Sequence, residues 1–125
     1  MIKTIICIGI GGGFGSIFRY LTSLFIDKYI HTNFPLATCT VNVVGCLIIG
    51  ILLGLFEWQA LPYSNLKFLL ITGFCGGYTT FSAFASENIH LFQSGNSLTA
   101  FFYIAVSIIM SLFAVWLGLT ITKTY

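Results

Sequence analysis

Four long apolar segments, separated by short polar connections, make up nearly the whole of this sequence. They cover about residues 2–29, 35–59, 66–92 and 98–122. Each segment exceeds the roughly 20 residues that an α-helix needs to cross a bilayer. Charged residues form 6% of the chain, whereas soluble domains carry about 25%. We therefore predict an all-α membrane protein with a single four-helix transmembrane domain over residues 1–125.

The composition also limits the classes of function. The net charge of +2, without any basic cluster, gives no sign of a nucleic-acid partner. The four cysteines, Cys7, Cys39, Cys46 and Cys75, lack a CxxC spacing and fall within the apolar segments. We interpret them as small hydrophobic residues. No nucleophile, base and orienting group occur together, so we do not expect an enzyme.

The third apolar segment is interrupted between Gly73 and Phe84, where the sequence reads GFCGGYTTFSAF. Glycine costs a helix about 1 kcal/mol relative to alanine, and β-branched threonine also disfavours it. Irregular backbone survives at membrane depth only where it is buried in protein or lines a polar cavity, because freed peptide groups find no water. We predict that the third helix is broken at mid-membrane and that the break presents carbonyl and amide groups to an ion.

Two polar side chains stand inside otherwise apolar segments. Arg19 interrupts the first segment, where a charge costs a few kcal/mol or more. It either reaches out to the membrane surface, bonds to backbone carbonyls, or attracts anions. Asn42 is an amide in the second segment and must find hydrogen-bond partners, either on another helix or in a transported ion.

Aromatic and hydroxyl side chains share faces in the last two segments. Phe81 and Phe84 are three residues apart, next to threonine and serine, and form either core packing or a mixed aromatic and hydroxyl surface. Tyr103, Ser107 and Ser111 recur at every fourth residue and form a hydroxyl stripe. The serines of such a stripe either bond back to their own helix or line a pathway.

The distribution of basic residues selects no membrane orientation. Lys3, Lys67 and Lys123 lie on one side of the predicted bundle, and Lys28 and Arg19 on the other. This balance favours insertion in both orientations. Two copies of opposite orientation would bring their helix breaks together, as inverted repeats do within transporters. Four short helices hardly enclose a pathway alone, so we predict an antiparallel, dual-topology homodimer.

Three motifs, GGGFGSIFRY, VNVVG and GFCGGYTTFSAF, resemble those of the Fluc (CrcB) family of bacterial fluoride channels. The similarity covers essentially the whole chain. It implies passive export of fluoride from the cytoplasm through the cell inner membrane, which lowers fluoride toxicity. It also implies an antiparallel homodimer with two fluoride pores and one structural sodium ion at its centre. The backbone carbonyls of Gly76 and Thr79 from both subunits would hold that ion.

The resemblance further implies roles for individual side chains. Arg19 matches the arginine of the first motif, and Glu87 matches the acid that follows the phenylalanine pair; we interpret both as anion-attracting or structural. An amide, two phenylalanines and three hydroxyl groups of the fourth segment form the predicted fluoride pathway: Asn42, Phe81, Phe84, Tyr103, Ser107 and Ser111.

The predicted pathway suits the chemistry of fluoride. Fluoride is small and strongly hydrated, so a pore must replace its water with hydrogen-bond donors. Amide and hydroxyl groups and the positive edges of phenylalanine rings are neutral donors that would not trap the ion. The chain has Ala37, Thr38 and Cys39 where Gly-Thr-Leu is usual in the family, and Ala83 where a threonine is common.

A small proton-coupled multidrug transporter is the nearest alternative, because such proteins are also antiparallel dimers of four-helix chains. Proton-coupled cation export needs a carboxylate inside the membrane. Asp27 lies at the far end of the first segment and Glu57 at an interface, which leaves Glu87 as the candidate. A scaffold subunit of a membrane complex is a further alternative, although it would not explain the interrupted segment.

Overall fold

The computed structural model describes residues 1–58 and 65–124. Helix α1 covers Ile2–Tyr29 and α2 covers Leu36–Trp58. We name the helical residues 65–78 α3, the helix Phe81–Gln93 α4 and the helix Ser97–Thr124 α5. The predicted second helix extended to residue 59, which lies outside the described residues.

The described residues contain four segments that are long and apolar enough to cross a membrane. They are Ile2–Tyr29, Leu36–Trp58, Asn65–Gln93 and Ser97–Lys123. The prediction of an all-helical protein with four membrane-crossing segments is therefore confirmed. Many large apolar side chains of these spans are exposed on the protomer, as expected where lipid replaces water as the solvent.

The third of these segments does not form one continuous α-helix. Within α3, the backbone is π-helical over Phe68–Cys75 and α-helical over Gly76–Tyr78. Thr79 and Thr80 are then extended, with φ/ψ of −83°/157° and −149°/116°. The α-helix resumes at Phe81. Glycine and β-branched threonine have the low helix propensities that permit this interruption.

Glycines allow the helix backbones to pack in direct contact. A Cβ atom at Gly11 of α1 would collide with the carbonyl oxygen of Leu69, and one at Gly15 with that of Phe74. On α2, a Cβ atom at Gly50 would collide with the carbonyl oxygen of Val115 on α5. These contacts join α1 to α3 and α2 to α5, and they fix the positions of the polar side chains between the helices.

A small core fills the end of the bundle at which α4 and α5 are joined. Cys39, Leu91, Ala100 and Tyr103 form its buried cluster, with partly buried phenylalanines packed around them. Because α2, α4 and α5 each contribute to this core, the segment after the interruption is held against the rest of the fold.

Candidate ion pathway

The side chain of Asn42 is bonded to the backbone at the interruption of the third span. Its Oδ1 accepts a hydrogen bond from the Thr80 N–H at 2.7 Å, and its Nδ2 donates to the Thr80 carbonyl oxygen at 3.0 Å. One turn further along α2, a Cβ atom at Gly45 would collide with Cγ2 of Thr79. Asn42 and Gly45 therefore both face the interruption. Asn42 was predicted to bond either to another helix or to an ion, and in the structure its side chain bonds to Thr80 of the third span.

The interruption releases backbone carbonyl oxygens from helical hydrogen bonding, and those of Gly76 and Thr79 are among them. In a continuous α-helix, the Thr80 amide would donate to the Gly76 carbonyl and the Ala83 amide to the Thr79 carbonyl. The Thr80 amide donates instead to Asn42, and the Ala83 amide donates to Thr80 Oγ1 at 3.2 Å. The carbonyls of Gly76 and Thr79 are therefore open to another partner.

A cavity of about 360 Å³, which we call the groove, is lined by residues of the interruption and of α2, α4 and α5. Every described residue that lines it is uncharged. Five of the six side chains of the predicted fluoride pathway are among them, and Tyr103 is not. The groove is lined by Asn42, Cys46, Ile49, Thr79, Thr80, Phe81, Phe84, Ser107, Ile108, Ser111 and Leu112.

The aromatic part of the groove consists of two neighbouring rings. The ring centroids of Phe81 and Phe84 are 5.6 Å apart and the rings are tilted by 42°. Phe84 also contacts the ring of Tyr103 edge to face at 5.1 Å, which anchors it in the core. Phe81 is 78% exposed in the single protomer. One ring is thus fixed by packing, and the other projects away from the protomer.

The three hydroxyl groups of α5 have different surroundings. Ser111 is half-buried and lines the groove. Ser107 also lines it, but is buried and donates to Cys39 Sγ at 3.8 Å. Tyr103 is fully buried, and its hydroxyl donates to Glu87 Oε2 at 2.9 Å. The stripe therefore leads from the groove into the core, where Tyr103 bonds to Glu87.

Glu87 connects three spans through both of its carboxylate oxygens. Thr38 Oγ1 of α2 donates to Oε1 at 2.5 Å, and Tyr103 of α5 donates to Oε2. Each carboxylate oxygen therefore accepts a hydrogen bond from a different neighbouring span. Thr38 was not among the predicted site residues, although it lies one helical turn before Asn42 and therefore on the same face of α2.

A second and larger cavity, which we call the vestibule, also borders the interruption. It measures about 820 Å³ and is lined by Arg19 and Asp27 of α1 and by Glu87 of α4, among other residues. Ala83, named above as a difference from the resembled motif, lines the vestibule and not the groove. Arg19 and Glu87 thus belong to one charged cavity, and the other predicted side chains surround the neutral groove or its core.

These features define a small integral membrane protein with a candidate ion pathway beside an interrupted span. The sequence profile of the family described as "CrcB-like protein, Camphor Resistance (CrcB)" matches residues 6–119. The chain belongs to this family, as its motifs predicted.

Curated relatives match the chain over almost its entire length. The fluoride-specific ion channel FluC of Flavobacterium psychrophilum is 55% identical over 121 residues, which are 97% of this chain and 98% of the relative. The FluC of Azobacteroides pseudotrichonymphae is 46% identical over 125 residues, all of both chains. The FluC of Azotobacter vinelandii is 40% identical over 98% of this chain and 99% of its own. These relatives are named as ion channels and not as enzymes or multidrug transporters.

Proposed function

We propose that this protein is a fluoride-selective passive channel that releases fluoride from the cytoplasm through the inner membrane and so lowers its toxicity. The observation that carries the proposal is the neutral groove, in which an amide, two serine hydroxyls and two phenylalanine rings surround one cavity. The naming of full-length relatives as fluoride-specific channels supports the same function.

The groove offers a dehydrating anion several weak contacts in place of one strong charge. An amide group has two N–H donors, and Asn42 uses one of them for the Thr80 carbonyl, so one remains. Ser111 adds a hydroxyl group, the hydroxyl of Ser107 becomes a donor when it turns from Cys39 Sγ, and the rings of Phe81 and Phe84 add positive edges. Such donors replace water around fluoride while letting the ion leave.

The proposed functional unit is an antiparallel homodimer with the helix interruption at mid-membrane. The support is the open side of the groove, because Phe81 projects from the single protomer with 78% of its surface exposed. A second copy would cover this side and enclose the pathway. In a cysteine-free background, a single cysteine at exposed Ser94 should be labelled by an impermeant thiol reagent from either side of the membrane. Labelling from one side only would contradict dual topology.

A structural sodium ion at the dimer centre is the second part of this proposal. The residues suit such a site, because the Gly76 and Thr79 carbonyls have lost the amides that a continuous helix would provide. Carbonyl oxygens are ligands that sodium accepts. The ion would supply a fixed positive charge between the two subunits, and these carbonyls would hold it.

The vestibule is proposed to collect anions before they enter the groove. Arg19 supplies a cationic group to a cavity that also contains Asp27 and Glu87. Both oxygens of Glu87 already accept hydrogen bonds, which reduces its repulsion of an anion. We therefore assign Arg19 to anion attraction and Glu87 to holding Thr38 and Tyr103 in place.

The test is ion release from liposomes that contain the purified protein, recorded with fluoride and chloride electrodes. We expect rapid fluoride release with chloride retained. Phe81→Ala should slow fluoride release by about tenfold or more, because it removes a ring that replaces ion hydration. Phe25→Ala is the matched control, since Phe25 is exposed and lines neither cavity. Equal release of both anions, or none of either, would refute the proposal.

A further inference from the structure

Thr80 lies where the two cavities meet. Among the residues that the structure describes, it is the one that lines both the vestibule and the groove. We propose that its hydroxyl group is the ligand that passes fluoride from one cavity to the other and helps to select it. This inference rests on the proposed channel function and adds a residue to it.

The backbone of Thr80 is held in place by hydrogen bonds to another span. Asn42 binds both its N–H and its carbonyl oxygen, at 2.7 and 3.0 Å. The extended conformation of Thr80, with φ of −149° and ψ of 116°, places its side chain at the first turn of α4. The backbone of Thr80 is thus held by Asn42 and its hydroxyl by the Ala83 N–H, so the side chain has a defined location between the cavities, as a selective ligand requires.

The hydrogen bonds of the Thr80 hydroxyl leave its proton available to an anion. A hydroxyl group has one donor and two acceptor positions. Thr80 Oγ1 accepts from the Ala83 N–H at 3.2 Å and lies 3.3 Å from Ser82 Oγ. When Ser82 donates, both acceptor positions of Thr80 are used and its proton is free. When Thr80 donates to Ser82 instead, the proton of Thr80 points towards Ser82, which lines the vestibule.

The position of Thr80 coincides with a change in electrostatic environment. The vestibule is lined by charged groups, including Arg19 and Asp27, whereas the lining of the groove is uncharged. An anion that moves from the vestibule into the groove must give up hydrating water and the attraction of the Arg19 guanidinium group. A neutral donor at this boundary lowers the barrier most for the small anion that accepts the stronger hydrogen bond, which is fluoride rather than chloride.

The experiment compares Thr80→Val and Thr80→Ser in the full-length reconstituted protein. Valine keeps the β-branched shape without the hydroxyl, and serine keeps the hydroxyl. We expect Thr80→Val to slow fluoride release by about tenfold or more, the effect of one hydrogen bond to an ion, and to lower the ratio of fluoride to chloride release. Thr80→Ser should stay within about threefold of the original protein, because its donor is retained.

Thr120→Val is the matched control and should leave release of both anions unchanged. Thr120 lines neither cavity, and its hydroxyl donates to the carbonyl of Trp116 in its own helix. Thr80→Val also removes the cap of α4, since Thr80 accepts from the Ala83 amide. A role in capping alone would lower thermal stability and leave the anion ratio of the folded protein unchanged.

A glycine variant separates the two effects if the valine variant does not fold. Glycine at an N-cap costs only a few tenths of a kcal/mol relative to threonine, so Thr80→Gly removes the hydroxyl with little loss of capping. The inference would be overturned if folded Thr80→Val or Thr80→Gly kept the release rate and anion ratio of the original protein. It would also be overturned if Thr80→Ser lost as much fluoride release as Thr80→Val. Absence of fluoride release from the original protein would instead refute the proposed function.

Discussion

The amide of Asn42 and the peptide group of Thr80 form two hydrogen bonds that run in opposite directions, although the residues are 38 positions apart. A helix interruption inside a membrane leaves peptide groups that lipid cannot satisfy. Here a side chain of α2 satisfies both groups of one residue and leaves the carbonyls of Gly76 and Thr79 for another partner.

Asn42→Asp tests whether this pair maintains the pathway. Aspartate can still accept from the Thr80 N–H, but it has no donor for the Thr80 carbonyl and adds negative charge to the groove. We expect fluoride release to fall by about tenfold or more, together with a lower unfolding temperature of the purified protein. Asn96→Asp, on an exposed connection, should change neither property. Full activity of Asn42→Asp would show that the donated hydrogen bond is dispensable.

Tyr103→Phe tests the hydrogen bonds around Glu87. The change removes the donor to Glu87 Oε2 and keeps the ring contacts with Phe34 and Phe84. Leaving a half-buried carboxylate oxygen without its donor should lower the free energy of unfolding by about 1–3 kcal/mol. Thermal unfolding in detergent measures this change. Tyr29→Phe is the matched control, because Tyr29 is exposed, and equal stability of both variants would contradict the prediction.

The glycines of α1 should differ in their tolerance of alanine. A Cβ atom at Gly11 would meet backbone atoms of α3, whereas among the described residues no atom outside its own helix lies within 4 Å of one at Gly9. We expect Gly11→Ala to lower the free energy of unfolding by about 1–3 kcal/mol through overpacking. Gly9→Ala should not lower it. Both variants can be compared by size-exclusion chromatography after heating, and equal losses would argue against the described packing of α1 on α3.

Arg19→Gln should slow fluoride release in a manner that depends on salt. Arg19 lines the vestibule, and its charge acts over about 30 Å at 0.01 M salt but only about 3 Å at 1 M. We therefore expect a clear reduction at low ionic strength that vanishes at high ionic strength. Arg19→Lys should retain the original rate because it keeps the charge. A reduction that is the same at both salt concentrations would indicate a structural role instead.

Sodium should stabilise the folded protein if the carbonyls of Gly76 and Thr79 bind it. Above the dissociation constant, each tenfold increase in sodium should add about 1.4 kcal/mol to the free energy of unfolding. Thermal unfolding across a sodium series, with N-methylglucamine chloride keeping the ionic strength constant, measures this dependence. The same stability at every sodium concentration would refute the sodium site, while the fluoride pathway would be tested separately by ion release.

The sequence predicted which side chains belong to the site, but it did not predict the partners that they find on distant parts of the chain. Spacing puts Asn42 on a polar face of α2, yet it does not say which backbone group it binds. The partner of Glu87 on α2, Thr38, is 49 positions away and became visible only in the folded chain. Spacing likewise cannot distinguish Gly9 from Gly11, because the difference depends on where α3 approaches α1.

Local physical chemistry determined the class of this protein. The length and apolarity of the segments require membrane-crossing helices, the propensities of glycine and threonine favour an interruption near Thr79, and the motifs indicate the family. Only the tertiary structure decided which hydroxyl groups face the groove and which, like Tyr103, turn to Glu87. The reason is that a donor acquires its partner when helices pack, and the approach of two helices depends on side chains all along their contact.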